Sequence, residues 1–142
     1  MFDSAVTVFN RKRTDEGDIW YPTVLEGVSL ITDRAAIMAR YGVQTDDKAL
    51  LHVPCEGQNV GGKQYMPPKA WQALEDPESA VTFAAGEKFD FFIEGEWEAG
   101  PVEDTAYANG FYDWINRERD GVYAVSSAAR YGLIPHFEIT GR

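Results

Sequence analysis

Apolar residues recurring at every second position near both ends of the chain constrain its fold more than any other feature. In "SAVTVFNRK", Val6 and Val8 share one face and Thr7 takes the other. Near the end, Val122, Ala124 and Ser126 alternate with Tyr123, Val125 and Ser127, and then Phe137 and Ile139 alternate with His136, Glu138 and Thr140. A period of two marks a half-buried strand, because successive side chains leave a strand on opposite faces. "DEGD" (Asp15 to Asp18) separates the first strand from "IWYPTVLEGVSLITD" and has the composition of a turn, so the opening reads as a hairpin. Pro22 cannot donate a ladder hydrogen bond and Gly27 suits a bulge. The second arm is therefore expected to be an edge strand that bends before continuing as Val28 to Ile31.

Between these ends the pattern is mixed. "RAAIMARYG" (Arg34 to Gly42) fits either a short helix stopped by Gly42 or a strand extension. "ALLHVPCE" reads as a strand, but Lys48 to Pro77 as a whole is read as a long loop insertion across one mouth of the core. Within it Gly61 and Gly62 make a turn, and Pro67 and Pro68 open a helix at "KAWQALE". "VTFAAGEKFDFFIEGEWEAG" predicts two strands around Gly86, the second carrying Phe89, Phe91 and Ile93 on one side. One amphipathic helix stands out in "PVEDTAYANGFYDWINRERDG", with Tyr107, Phe111, Trp114 and Ile115 as its stripe and Asp113 and Arg117 as an exposed ion pair. Asp104 and Thr105 are its caps, Gly110 lies inside it, and Gly121 stops it. About six short strands and one helix in the C-terminal half define the expected class. It is mostly β, a β-rich α+β protein built as a small antiparallel barrel or sandwich. With 142 residues, 44% of them hydrophobic, the chain suits a single domain over 1–142.

Charge and residue counts narrow the chemistry. Twenty-three acidic against 13 basic residues give a net charge of −10, which disfavours a groove built to grip phosphates. Cys55 is the single cysteine, so no intrachain disulfide is expected. No apolar run reaches the ~18 residues of a membrane span, and the basic cluster "RKR" follows the first apolar stretch instead of preceding it. A soluble, cytoplasmic protein is expected. His52 and Cys55 form an H-x-x-C pair, but only His136 remains to complete a zinc site that wants four ligands, so no metal and no cofactor is expected. No phosphate loop, nucleophile elbow or dinucleotide fingerprint occurs. The sharpest chemical candidate is the row Glu94, Glu96, Glu98, with Asp90 nearby, on one face of an extended strand. Paired carboxylates can serve as general acid and base when their environments separate their pKa values. The simpler reading is a solvated acidic face, and the protein is expected not to be an enzyme. The rivals are a carboxylate-dependent hydrolase and a sugar-binding module using the four Trp residues.

The two ends also carry a resemblance. "AVTVFNRKRTDEGDIWYPTVLEGVSL" is similar to the opening of small head-tail region proteins of tailed bacteriophages and prophages of Gram-positive bacteria: a "VT(V/L)(Y/F)N" strand, a charged turn, then "W..TVL.GV.W". "YDWINRERDGVYAVSSAARYGLIPHFEITGR" resembles their ending, a helix leading to "D.V..I.SV....G....HWE(V/I)GG(K/R)". "VTFAAGEKFDFFIEGEW" sits where they carry "FTL..GD.IV.GE". Phe137 stands where those proteins often have Trp, Leu30 replaces an aromatic, and Lys48 to Pro77 has no counterpart. The resemblance implies a minor capsid or head-completion protein, a stopper-type β-barrel in a twelve-fold ring at the virion head-tail interface. It would meet the portal or adaptor ring above and tail proteins below, after assembly in the host cytoplasm. Adaptor and tail terminator are the alternative positions. DNA would pass without specific binding, along an acidic wall that Glu94, Glu96 and Glu98 could supply, and no membrane is involved.

Overall fold

The computed structural model describes residues 3–42 and 46–142. The opening hairpin forms as expected. β1 (Ser4–Lys12) and β2 (Ile19–Ile31) pair antiparallel from Lys12 opposite Ile19 to Ser4 opposite Val28. The register slips at Gly27, whose φ of 66° only glycine adopts without strain, and β2 bends there. Its last residues, Ser29–Ile31, leave β1 and pair with β3 (Ala49–Pro54). Pro22 lies opposite Phe9 in the part of β2 that pairs with β1.

Six strands close into a barrel. β7 (Phe91–Glu94) pairs with β1, β9 (Val122–Tyr131) with β7, β10 (His136–Gly141) with β9, β3 with β10, and β2 completes the circuit to β1, every pairing antiparallel. β8 (Val102–Glu103) adds a short extra strand beside Ile19 and Trp20. Val6, Val8, Leu25, Val28, Leu51, Val53, Phe92, Val125, Phe137 and Ile139 share one buried cluster, the set that alternation turns to one side of the staves.

The other side of β1 and β7 is covered as well. Phe9, Phe91 and Ile93 pack with Trp20 and Val122 beneath α3 (Phe111–Glu118), which contributes Phe111 and Ile115. Phe89 packs against this cluster, as its spacing from Phe91 and Ile93 predicts. The Asp113–Arg117 ion pair forms at 3.1 Å. The helix is shorter than its sequence stripe suggests. Asp104–Ala106 make a separate 3-10 turn, and α3 begins only after Gly110, whose φ is 91°. Gly110 is thus the helix boundary, not an interior residue. The cause is Asp104, whose Oδ1 accepts the Trp20 indole N–H at 2.9 Å and the Phe111 amide at 2.8 Å. Tying the chain to the barrel there breaks the helical run, although Tyr107 still packs on Phe111 and Trp114.

Two other expectations are corrected or resolved. Arg34 to Gly42 is a helix, α1 (Arg34–Tyr41), capped by the Asp33 carboxylate on the Ala35 amide and closed by the Gly42 amide on the Met38 carbonyl. Lys48 to Pro77 is not a loop insertion throughout, because Ala49–Pro54 is the β3 stave, with Leu51 and Val53 in the inner core. The remainder does form an excursion: β4 (Asn59–Val60) and β5 (Lys63–Tyr65) join β6 (Ala80–Val81) in a small sheet, with α2 (Pro68–Gln72) opened by its prolines as predicted. Two strands flank Gly86 as expected, but the first, β6, is short, runs parallel to β5 and does not pair with β7. Thr82 and Ala84 instead bond to the side chains of Asn10 and Asp90.

Candidate functional site

The residues expected to form an acidic row separate in space and environment. Strand β7 ends at Glu94 and the chain turns at Gly95, so Glu94, Glu96 and Glu98 are not one face of a single strand. All three are exposed, and Trp97 between Glu96 and Glu98 turns inward toward Phe9 and Phe111. The Thr7 hydroxyl fixes this turn by donating to the Gly95 carbonyl and accepting the Trp97 amide, both at 2.9 Å. Glu26, which sequence reading did not single out, joins the acidic surface: its hydrogen bond and charge, with the charge of Glu98, raise the Glu96 carboxyl above its ordinary pKa. The bulge at Gly27 is the only local sign that Glu26 could face this way.

Asp90, by contrast, is sealed from solvent. Its Oδ2 accepts from Asn10 Nδ2 and the Ala84 amide and its Oδ1 from the Arg11 amide, each at 2.9 Å. It is a structural clasp between β1 and the segment before β7, and it offers no free oxygen pair for work with the exposed glutamates.

A denser polar group lies on the opposite side, around Glu138. Register pairs Glu138 with His52 on β3 and with Ala129 on β9. The carboxylate, 4% exposed, accepts both Arg40 contacts (2.7 and 3.0 Å), the Tyr41 hydroxyl (2.7 Å) and His136 Nε2 (3.0 Å). α1 is thereby pinned to the barrel through its last turn. His136 Nδ1 donates to the Ile134 carbonyl at 2.6 Å, and the ring stacks on Tyr131. Arg40, His136 and Glu138, with His52, Pro54, Ile134 and Pro135, line a cleft of about 530 Å³. The large hydrophobic side chains exposed among the described residues, Tyr41, Tyr131, Leu133 and Ile134, gather at this same end of the β9–β10 hairpin. Sequence reading missed the cluster, because Arg40 and Tyr41 lie 98 and 97 positions from Glu138. The alternation of His136 and Glu138 on one face was its only trace.

Titration in this cluster follows from its contacts. Burial alone would raise Glu138, but hydrogen bonds from His136, Tyr41 and Arg40 prevail and hold it at about 2. His136 is raised by its bond to the Ile134 carbonyl and by Glu138, so it favours the imidazolium that donates from both nitrogens. Burial is the larger cause that pushes Tyr41 up to about 12, and burial lowers His52. A carboxyl depressed in the folded state stabilises above its unfolded value near 4.5, and that stabilisation disappears as pH falls toward 2. Glu138→Gln should therefore lose about 2 kcal/mol at pH 7 in urea denaturation, with the gap to wild type closing below pH 3. A gap unchanged across that range would contradict the charged network. Glu138 is saturated by donors and so is a poor general base. Among the described residues no group of three or more His, Cys, Asp or Glu is placed to hold an ion.

The geometry defines a class: a closed six-stranded antiparallel β-barrel with a short extra strand and, among the described residues, three short helices, of which α3 covers the aromatic cluster outside the wall. The chain belongs to the family of unknown function DUF6751, whose profile matches residues 1–142. No curated protein and no solved structure matches it. Among the described residues no helix is long and apolar enough to cross a membrane.

Proposed function

We propose that this protein is a structural virion component, a stopper-type subunit of a tailed-phage head-tail connector that closes the filled head and presents a docking face to the tail. One observation carries the reading. The segments that resemble phage head-completion proteins supply β1, β2, β7, β9 and β10, five of the six barrel staves, so the resemblance tracks the wall of one fold. The sixth, β3, lies in the stretch without a counterpart.

Two surfaces suit the role. Glu26, Glu96 and Glu98 form an exposed acidic patch, with Glu94 exposed across the Gly95 turn, on a chain of net charge −10, and like charge removes the counterion-release attraction that would hold passing DNA. The closing strand runs to Gly141, and Arg142 still exchanges both backbone hydrogen bonds with Ala124 (2.9 and 3.1 Å). Such an end is ordered within the barrel wall. The carboxylates offer less to a hydrolase, since the exposed glutamates stay solvated and Asp90 is sealed away.

Electron microscopy of particles carrying a tagged copy should show a closed ring of this protein at the head-tail joint. A subunit never incorporated into particles overturns the proposal. Cross-linking separates the connector positions: contacts to tail-tube protein without portal contacts would move it from stopper to tail terminator.

A further inference from the structure

Among the described residues, one strand edge of the barrel has no partner. β9 pairs with β7 only over Val122–Ala124, and from Ser127 to Tyr131 its partner among the described residues is β10 alone. Edge strands present unpaired N–H and C=O groups, and proteins usually guard them with proline, lysine, an inward charge or a covering loop. Here Ser127, Ala128 and Ala129 are small, all five residues are exposed, and no proline interrupts them.

The flanks of this edge are shaped and charged. At its base a cleft of about 480 Å³ is lined by Phe89, Tyr112, Val125 and Arg142. At its tip Leu133 is 98% exposed and Ile134 75%. Arg142 and Arg40 have side chains 64% and 52% exposed, whereas the carboxylates they meet, Asp47 and Glu138, are only 13% and 3% exposed. Arg130, on the edge itself, donates to the Gly57 carbonyl. Solvent at the base of this edge therefore meets the cation of the Arg142–Asp47 pair, on a chain whose net charge is −10.

We propose that the Ser127–Tyr131 edge of β9 is a docking site for an extended, acidic segment of another protein. The segment adds to the sheet as a further strand of about five to seven residues, with main-chain bonds to β9. Its carboxylates face Arg130 and Arg142, and its apolar side chains rest on Leu133 and Ile134 at one end and in the Phe89–Tyr112 cleft at the other. A second copy is a poorer occupant, because every strand among the described residues is already used in the chain's own sheets. The proposal stands apart from the connector reading, since such an edge would take such a segment in any assembly.

The test uses the full chain and a pool of heptapeptides in which Asp or Glu alternates with Val, Leu or Phe, beside a pool with Lys in the acidic positions. Hydrogen exchange should slow at least tenfold over residues 127–131 with the acidic pool and stay unchanged with the lysine pool. Arg130→Glu should weaken binding by tenfold or more without lowering Tm. Successive residues of a strand alternate, so one of Ala128 and Ala129 turns its N–H outward. Of Ala128→Pro and Ala129→Pro, one should keep the fold and lose the protection. Absent protection, protection elsewhere, equal effects of both pools, or full binding by Arg130→Glu would each overturn the proposal. Protection of 127–131 that rises with protein concentration without peptide would assign the edge to a second copy instead.

Discussion

Phe91→Ala should cost about 3–5 kcal/mol of folding free energy, the largest loss expected from any single truncation outside the barrel interior. Phe91 is fully buried, stacks on Phe9 at 4.9 Å, and meets Trp20 and Tyr112 edge-on at 4.8 and 5.0 Å, with Phe111 of α3 at 5.9 Å. Truncation removes the ring common to all of these contacts and opens a cavity between helix and barrel that neighbouring rings fill only in part. Urea denaturation should show a lower midpoint, and hydrogen exchange should show α3 opening before the inner strands. The inner cluster is lined by Phe92, on the opposite face of the same strand, and should keep its protection. A loss under about 1.5 kcal/mol would mean that α3 is held by something other than this aromatic cluster.

Asp90→Ala ranks next, at about 3 kcal/mol, because it strands the Arg11 and Ala84 amides in a buried site and deprives Asn10 of one of its two acceptors. The pH dependence identifies the mechanism. Burial raises Asp90 to about 7 despite the bonds from Arg11, Ala84 and Asn10. A carboxyl raised in the folded state contributes stability that is complete below its unfolded value of 3.8 and fades as pH climbs through 7. The advantage of wild type over Asp90→Asn, which resembles the protonated acid in shape, should therefore be larger at pH 5 than at pH 7.5. An advantage that grows with pH would show that the three donors, not burial, govern this carboxyl. This trend is opposite in sign to that at Glu138, whose donors include the Arg40 cation.

Much of the fold was legible because its signals are local. Alternation placed β1, β9 and β10, Gly27 located the bend in β2, and the Asp113–Arg117 spacing located α3. Errors arose where one residue answers to a distant one. Asp104 breaks the predicted helix because it is bonded to Trp20, 84 positions away. The first strand before Gly86 stops at Val81 because Asn10 and Asp90 capture the backbone that follows. Of the candidate sites, the acidic residues were legible as a solvated surface, but the turn at Gly95 that breaks their row was not. The Glu138 cluster was almost invisible, its four other members coming from α1, β3 and the start of β10.

The amino-acid order by itself determined which segments are strands, which faces of them are apolar, and where glycine and proline bend or end them. Each of these depends on a residue and its close neighbours in the chain. Closure of the barrel decided the rest: that Asp90 is sealed from solvent, that Arg40 meets Glu138, and that β9 from Ser127 onward keeps β10 as its one partner among the described residues. Those outcomes depend on pairings between residues far apart in sequence, and desolvation and hydrogen bonding act on a side chain only once its distant partners have arrived.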